Sequence, residues 1–458
     1  MFLLLKGELG GIYSPLFYLT LPKNIKYGKK LKEIANINPT RNKPKFNADI
    51  LVPYVGLPET DEYDNDVKVV LERPFVEVGG RNIIRKDDIL FARIEPSVFN
   101  KKYIYVDDLK GFDFAFTSTE FYILESKTVL QKYLFYILFL DFVYNQVEGK
   151  TTGSTGRRRL DKGAFENIII PSPPLETQQT IINIFENAYA KKKAKEAEAK
   201  LILDSIDGYL LEKLGITLPE KQENILRNRV FLRNISDLGG SRFDGYYHGE
   251  FFERLPISIK NGYFPTAKLE KLCLKITDGT HYTPTYVSSG IPFISVKNVR
   301  RSAISFEDIK YITEKEHFDL TKRAKPEPND ILLTKIGTIG LSAVIPEELP
   351  EFSIFVSLAL IKPNKTMNSY FLSEVISSPI VKYQFERDLK GTGVPDLHLE
   401  NICKVSIPLP PLEIQERIVA EINHRRKLAK VLQTEASELL AKAKVEVERM
   451  ILGGGGDD

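Results

Sequence analysis

The chain has 458 residues, 43% of them hydrophobic, and its 64 Lys and Arg against 61 Asp and Glu give a formal net charge of +3. This length exceeds what one hydrophobic core usually supports, so we expect more than one globular unit. A charge of +3 gives no general attraction to polyanions, so nucleic-acid binding would have to come from local patches. The two cysteines, Cys273 and Cys403, form no Cys-x-x-Cys pair, which favours a reducing compartment and excludes a zinc site of that type.

Neither of the two apolar stretches is typical of a membrane or export segment. The apolar start at residues 1–5 is followed at once by Lys6, which makes it too short for a secretory signal, and we predict a first strand there. Residues 133–144 are about a dozen apolar positions interrupted by Asp141, too few to cross a bilayer. We expect a soluble, cytoplasmic protein with no membrane segment.

Residues 1–174 have the pattern of a globular domain built from short strands. The β-rich runs are bounded by Pro, Gly or Asp, and one longer apolar run, residues 129–146, is predicted to be a helix. The predicted strands lie at residues 53–56, 68–71, 88–93 and 114–117.

A loop rich in Gly, Thr and Arg follows that helix at residues 149–160. Guanidinium forks and hydroxyl groups on a loop suit contacts with phosphates and with guanine edges. A solvated basic loop is the alternative. The candidate DNA-binding residues of this loop are Lys150, Thr151, Thr152, Thr155, Arg157, Arg158 and Arg159.

The stretch from Pro171 to Leu214 opens with Pro-Ser-Pro-Pro-Leu-Glu-Thr-Gln-Gln and then contains no proline. Because proline is tolerated in the first turn of a helix and not later, Pro173 and Pro174 predict a helix start, with a spacer helix over residues 175–214.

Residues 215–411 repeat the plan of the first domain after a connector at residues 215–255. Residues 291–295 correspond to 52–56, and 330–335 correspond to 88–93. Loop chemistry differs between the two copies, as expected for two domains that recognise different targets on one scaffold. Each polar loop taken alone is compatible with ordinary surface. The candidate DNA-binding residues of this second domain are Thr280, His281, Lys297, Asn298, Arg300, Arg387, Lys390 and Thr392.

The proline signal returns at Pro408 and opens a second run that reaches Leu452, so residues 412–458 are predicted to form a second spacer helix and a Gly-rich tail. The two copies align without a gap at a shift of 237 residues. In alternating steps of four and three, seven of ten positions from Ile181 and eight of ten from Ile418 are apolar. The two helices therefore carry coiled-coil seams in the same register, and the chain is an internal duplication.

Searches for catalytic motifs find none of the common ones. The sequence contains no phosphate-binding Gly-x-x-x-x-Gly-Lys-Ser/Thr, no Asn-Pro-Pro-Tyr amino-methyltransferase signature and no His-Glu-x-x-His. The segment at residues 337–340, Gly-Thr-Ile-Gly, lacks the lysine of a phosphate loop, and a hairpin turn is predicted there. The sequence therefore favours a non-catalytic protein without a bound metal.

The order of domain, Pro-Pro-Leu-Glu-x-Gln helix, second domain and second Pro-Pro-Leu-Glu-x-Gln helix resembles the specificity subunit of type I restriction-modification systems. The resemblance covers nearly the full chain, and Asp278-Gly-Thr-His-Tyr-Thr-Pro is similar to a motif at the start of such domains. It implies an α+β chain with two mixed α/β target-recognition domains, each recognising one part of a split DNA site. Two long helices would separate them as an antiparallel coiled coil with pseudo-two-fold symmetry.

The same resemblance implies double-stranded DNA, two methyltransferase (modification) subunits and restriction/translocase subunits as partners. It implies no cofactor bound directly, with S-adenosylmethionine, ATP and Mg on the partner subunits. Two other hypotheses remain: a fused or partner-independent DNA methyltransferase or nuclease, and a protein adaptor that acts through its coiled coil. The missing motifs weigh against the first, and the second leaves two large domains unexplained.

Overall fold

The computed structural model describes residues 27–61, 65–154, 158–223, 225, 230, 232, 234, 245–389 and 393–452. The predicted first strand at residues 1–5 and the Gly-rich tail lie outside this range, as does part of the predicted connector. The chain divides into two compact units, one formed by Met1–Glu196 with Gln433–Asp458 and the other by Ala197–Leu432. Among the described helices, none combines the length and the apolar character needed to cross a membrane.

The first unit consists of short strands and short helices followed by part of a long helix. Its helices are α1 (Leu31–Ile34), α2 (Phe75–Val78), α3 (Gln131–Ile137), α4 (Asp141–Tyr144), α5 (Lys162–Glu166) and the start of α6 (Leu175–Leu214). Its strands are β1 (Gly28–Lys30), β2 (Ala35–Ile37), β3 (Leu51–Val55), β4 (Thr60–Asp61), β5 (Asp66–Val67), β6 (Leu71–Pro74), β7 (Ile83–Ile84), β8 (Ile89–Ala92), β9 (Tyr103–Tyr105), β10 (Ala115–Thr117), β11 (Phe121–Ser126), β12 (Thr151–Thr152), β13 (Arg159–Leu160) and β14 (Ile169–Pro171).

The second unit is also built from short strands and short helices, followed by part of a long helix. Its helices are α7 (Glu250–Lys260), α8 (Glu314–Thr321), α9 (Ser369–Ser377), α10 (Pro379–Asp388), α11 (Leu399–Lys404) and the start of α12 (Leu412–Leu452), with 3-10 turns at Leu269–Leu272 and Val296–Asn298. Its strands are β15 (Thr266–Lys268), β16 (Cys273–Asp278), β17 (Ile291–Ile294), β18 (Val299–Arg300), β19 (Ala303–Ile304), β20 (Lys310–Ile312), β21 (Ile331–Thr334), β22 (Ser342–Val344), β23 (Ser353–Ile354), β24 (Leu358–Pro363) and β25 (Ser406–Pro408).

The sheets of the two units repeat one topology. Antiparallel sheets of order β2-β11-β8-β9 and β16-β24-β21-β22 occupy equivalent places. A second sheet in each unit contains a parallel pair, β3 with β10 and β17 with β23. The pairs β1-β14 and β15-β25 also correspond. The chain is therefore an α+β protein whose sequence duplication is a duplication of fold.

The two long helices begin where the proline signals predict. Helix α6 starts at Leu175 and α12 at Leu412, each immediately after a Pro-Pro pair, and they contain 40 and 41 residues. In the second unit, Ala199 packs with Ala429 and Leu432, while Arg425 of α12 donates to the Ser205 hydroxyl at 2.7 Å. Residue numbers thus rise along one helix as they fall along the other, which is antiparallel packing.

The predicted heptad seam is correct in its middle and wrong at the end of each helix. Glu446 and Met450 were predicted to face inward and are exposed, whereas the buried positions are Ala443, Val447 and Ile451. The equivalent end of α6 buries Ile206, Leu210 and Leu214 in place of Tyr209 and Lys213. At both helix ends the buried residues are spaced four positions apart. This spacing arises because each helix end packs into the core of a globular unit, where the 3.5-residue period of a coiled coil no longer applies.

The long helices are part of the cores. In the first unit the Tyr136 ring of α3 stacks on Phe185 of α6 with centroids 5.0 Å apart. Phe185 is 1% exposed, and burying a side chain of this size stabilises the fold by about 1.5 to 3 kcal/mol. In the second unit, Glu374 of α9 accepts from Arg426 of α12, and Arg301 pairs with Asp207 of α6. Apolar packing therefore attaches the helices to both domains, and in the second unit these ion pairs add to it.

Two predicted elements differ from the structure for tertiary reasons. The helix predicted over residues 129–146 is divided into two helices, α3 and α4. The break occurs because the Lys101 amine donates to the Phe139 carbonyl at 3.2 Å and to the Asp141 carboxylate at 2.6 Å. Of the strand predicted over residues 68–71, residues 68–70 are not in a strand and β6 begins at Leu71. The reason is that the amides of Lys68 and Val69 both donate to the Glu59 carbonyl. The predicted strands at 53–56, 88–93 and 114–117 correspond to β3, β8 and β10.

Candidate nucleic-acid interface

In both units the central strand of the main sheet ends beside the segment that follows the Gly- and Thr-rich loop. Past β8, Ile94 bridges Arg159, and past β21, Ile336 bridges Asp396. The residue just before each bridge is basic, Arg93 in the first unit and Lys335 in the second. In the first unit this place holds Arg158 and Arg159, two of the residues that the sequence singled out, whereas Asp396 and Lys335 in the second unit were not among them.

In the first unit, Arg159 forms a two-pronged ion pair with Glu120. Its Nε and Nη2 donate to the Glu120 carboxylate at 2.8 and 2.6 Å. The hydrogen bond that Arg159 donates to Glu120 raises the pKa of Arg159 above its usual value. The Arg93 guanidinium lies 4.8 Å from the centre of the Tyr122 ring, a cation–π contact beneath this pair.

The loop itself is a small hairpin of β12 and β13. Thr151 is buried, and its hydroxyl donates to Glu95, which also pairs with Arg158 at 3.4 Å. Arg158 in addition donates to the Thr151 carbonyl at 3.0 Å. Lys150 and Thr152 are exposed. The structure thus brings five of the seven predicted loop residues together, while Thr155 and Arg157 lie outside the described residues.

In the second unit, a buried carboxylate lies beside two cations and a histidine. Asp278 is 3% exposed and accepts from Arg323, while His281 Nε2 lies 3.2 Å and Lys335 Nζ 3.9 Å from its Oδ2. Lys335 also lies 3.4 Å from Asp396. The Arg323 and His281 side chains remain 55% and 60% exposed. The arrangement places a solvent-facing arginine and a solvent-facing histidine over one carboxylate.

The turn after Asp278 is fixed by the backbone. A Cβ on Gly279 would lie 2.0 Å from the Ile354 carbonyl oxygen, so only glycine fits this approach. Thr280 is buried, and its amide donates to the same carbonyl at 3.1 Å. Of the two predicted residues in this loop, His281 therefore faces solvent and Thr280 holds the turn.

The third predicted cluster lines a groove of about 560 Å³ in the second unit. Lys297 and Arg300 are exposed, and Arg300 donates to the carbonyl of Lys297 at 2.8 Å. Asn298 is buried, where its amide group donates to the Glu307 carbonyl and its oxygen accepts from the Ser295 amide. The exposed members of this cluster are the two cations, and Asn298 supports them.

The last predicted cluster is only partly described. Arg387 donates from Nε to the Tyr247 carbonyl at 3.1 Å and lies 4.2 Å over the Tyr247 ring. Lys390 and Thr392 lie outside the described residues. The predicted hairpin turn at residues 337–340 is confirmed, since it joins the antiparallel pair β21 and β22.

Several residues of these clusters were not identified from the sequence. Glu95 and Glu120 bind Arg158 and Arg159 from positions that no local pattern marks, and Arg323, which binds Asp278, lies in the turn just after helix α8. Lys335 carried a usable signal, because it occupies the last position of Asp-Ile-Leu-Leu-Thr-Lys, where the first copy has Arg93.

A duplicated α+β fold, with two long helices and two differently charged loop clusters, defines a class of two-domain recognition proteins. Comparison with known families makes the assignment specific. The family model described as type I restriction modification DNA specificity domain matches residues 22–202 and 266–430, and the chain belongs to this family.

Individual relatives have low sequence identity to this chain but match more than half of its length. The chain is 23% identical over 297 residues to the type I restriction enzyme EcoBI specificity subunit of Escherichia coli, covering 64% of this chain and 58% of that protein. It is also 23% identical to the MjaVIII specificity subunit of Methanocaldococcus jannaschii, covering 72% and 71%. A solved structure from a study of assembly and conformational transition of the type I R-M system covers 93% of this chain and 97% of its own, with TM-score 0.57 and 17% identity, and shares its fold.

Proposed function

We propose that this chain is the sequence-specific DNA-binding subunit of a type I restriction-modification complex and acts in the cytoplasm. Each unit recognises one half of a split double-stranded site. The observation that carries the proposal is the repeated bridge beside the Gly- and Thr-rich loop, which holds Arg159 in one unit and Asp396 in the other. One backbone plan with different exposed charges is what two readers of different half-sites require.

The exposed cations supply the general affinity for DNA. Arg158, Lys297, Arg300 and Arg323 all have exposed side chains at the loop clusters. Lys and Arg contacts with phosphates position a protein on the duplex and make binding salt-dependent. Because the net charge of the chain is only +3, DNA is attracted to these clusters and not to the whole surface.

The long helices support the assembly role. In the second unit, Leu201 is 71% exposed on α6, and Leu428 and Val431 of α12 are also exposed. Exposed apolar side chains on paired helices mark a protein-binding surface. We propose that two methyltransferase subunits bind these helices and that restriction/translocase subunits join beyond them.

The chain itself is proposed to be non-catalytic. Among the residues that the structure describes, no group of three or more His, Cys, Asp or Glu is placed to hold a metal ion. We propose that Mg, ATP and S-adenosylmethionine bind to the partner subunits, which would supply methyl transfer and cleavage.

The test is methylation by the reconstituted complex. The chain, co-expressed with its methyltransferase partner, should methylate a plasmid library at one split sequence, and the isolated chain should methylate nothing. Methyl incorporation by the isolated chain would support the partner-independent enzyme. A complex that binds and methylates without sequence preference would contradict the proposed function.

A further inference from the structure

The bridge positions of the two units share the main-chain hydrogen bonds on both sides of the bridge. The Leu160 amide donates to the Arg93 carbonyl at 2.7 Å, and the Leu397 amide donates to the Lys335 carbonyl at 2.8 Å. On the other side of each bridge, the amide of Glu95 donates to the Arg158 carbonyl at 3.0 Å, and the amide of Gly337 donates to the Pro395 carbonyl at 2.9 Å. The duplication has therefore kept this piece of main chain unchanged.

Some side chains at the bridge are of the same kind in both units, and one differs. Leu160 and Leu397 are both fully buried, and the residue before each bridge is basic in both units. The exposed position differs: it is Arg159 in the first unit and Asp396 in the second, with side chains 37% and 46% exposed. The charge at the bridge position is therefore inverted between the two units.

Both residues also have the same relation to the predicted DNA loops. Arg159 and Asp396 each lie four positions after the threonine of a Thr-Gly pair, Thr155 and Thr392. Each is held from its own unit by an oppositely charged side chain, Glu120 for Arg159 and Lys335 for Asp396. A side chain held in one orientation at the foot of a loop is suited to base-edge contacts, which need fixed geometry.

We propose that Arg159 and Asp396 are equivalent specificity-determining residues, one for each half-site. This inference rests on the proposed function and adds the chemistry of one base pair in each half. Arg159, with its plane fixed by Glu120, binds the O6 and N7 acceptors of a guanine, and Asp396 accepts from the N4 amine of a cytosine. Glu120 and Lys335 act as positioning residues.

The experiment maps the methylated sequence of the complex for wild type and three variants. Arg159→Lys keeps a cation opposite Glu120 but has no bidentate fork, so it should relax one guanine of one half-site, with roughly 5- to 150-fold less discrimination at that position. Asp396→Asn should move the preference at one position of the other half-site from cytosine toward adenine, because an Asn amide matches adenine N6 and N7. In each variant the opposite half-site should stay unchanged.

Lys162→Ala is the matched control, because Lys162 is an exposed cation three positions after Arg159 that pairs with Glu166 of the same helix, α5. It should leave the recognised sequence unchanged. An unchanged sequence in Arg159→Lys and Asp396→Asn, or equal loss of methylation on all sequences, would overturn the inference. The untouched half-site reports folding within the same molecule, and a wild-type complex without sequence preference would show that the proposed function itself has failed.

Discussion

Gln178 and Gln415 make the same two main-chain hydrogen bonds in their respective units. Each side-chain oxygen accepts, at 2.8 Å, from the amide of the residue that caps a domain helix, Leu130 before α3 and Asn368 before α9. Each side-chain nitrogen donates to the first proline of the Pro-Pro pair, Pro173 at 2.7 Å and Pro410 at 2.8 Å. The glutamine of the repeated Pro-Pro-Leu-Glu-x-Gln motif therefore joins the start of each long helix to its domain.

We expect Gln178→Leu and Gln415→Leu each to destabilise the protein by about 1 to 3 kcal/mol, because a buried amide and a buried carbonyl lose their partner. Both glutamines are nearly fully buried, at 2% and 0% exposure. Chemical denaturation would measure the loss. The control is Gln179→Leu, since Gln179 is exposed and bonds only Asn183 at the helix surface. Equal effects at positions 178 and 179 would contradict the role of the motif.

Glu374 makes stability depend on pH in the acid range. Burial alone would raise the pKa of this carboxyl, but the hydrogen bonds and charges of Arg426, Ser302 and Arg301 outweigh it and lower the pKa below the usual value of 4.5. A lowered folded-state pKa contributes stability that is complete above about 4.5 and is lost as the pH falls through the folded-state pKa.

Glu374→Gln should therefore cost about 3 kcal/mol near pH 7, the scale of a broken buried ion pair. The difference from wild type should shrink as the pH falls below about 4.5. Urea unfolding of both proteins between pH 7 and pH 3 gives the comparison. A difference that stays constant over this range would show that Glu374 contributes packing and not charge.

Asp278 is the anionic anchor of the second unit, and its neutralisation should destabilise that unit. Asp278→Asn leaves Lys335, whose side chain is 5% exposed, with Asp396 as its remaining carboxylate. The expected loss is about 3 kcal/mol, seen as a lower thermal midpoint. Asp319→Asn is the control, because Asp319 pairs with Lys322 at the surface and its removal should change stability by about 0.5 kcal/mol or less. Similar losses in the two variants would contradict the anchoring role.

The parts of the fold that the sequence predicted well are those encoded locally. Prolines and an uninterrupted run of helix formers mark Leu175 and Leu412 as helix starts without reference to the rest of the chain. The register of the repeat then identifies equivalent strands, such as β8 and β21. These signals span a few residues or one fixed shift, so one sequence is enough to find them.

The parts that were missed depend on long-range partners. Arg159 and Glu120 are 39 positions apart, and Arg323 and Asp278 are 45 apart, so no local spacing connects them. The break between α3 and α4 depends on Lys101, which is almost 40 positions upstream of the carbonyl that it binds. Base-recognition residues share this limit, because their geometry is set by such contacts.

The shifted seam at the end of α12 gives the last prediction. A strict heptad places Glu446 and Met450 inside, whereas the structure buries Val447 at 0% exposure and leaves Val445 66% exposed. Val447→Ala should therefore destabilise the first unit by about 1 to 3 kcal/mol through lost burial and a small cavity, because Val447 packs with Ala443 and Ile451 in its core. Val445→Ala changes the same chemistry two positions away and should be neutral within about 0.5 kcal/mol. Denaturant unfolding of the two variants compares them directly. If Val445 and Val447 lose equal stability, or if Met450→Ala costs more than Val447→Ala, the helix end follows the heptad and not the four-residue steps seen here.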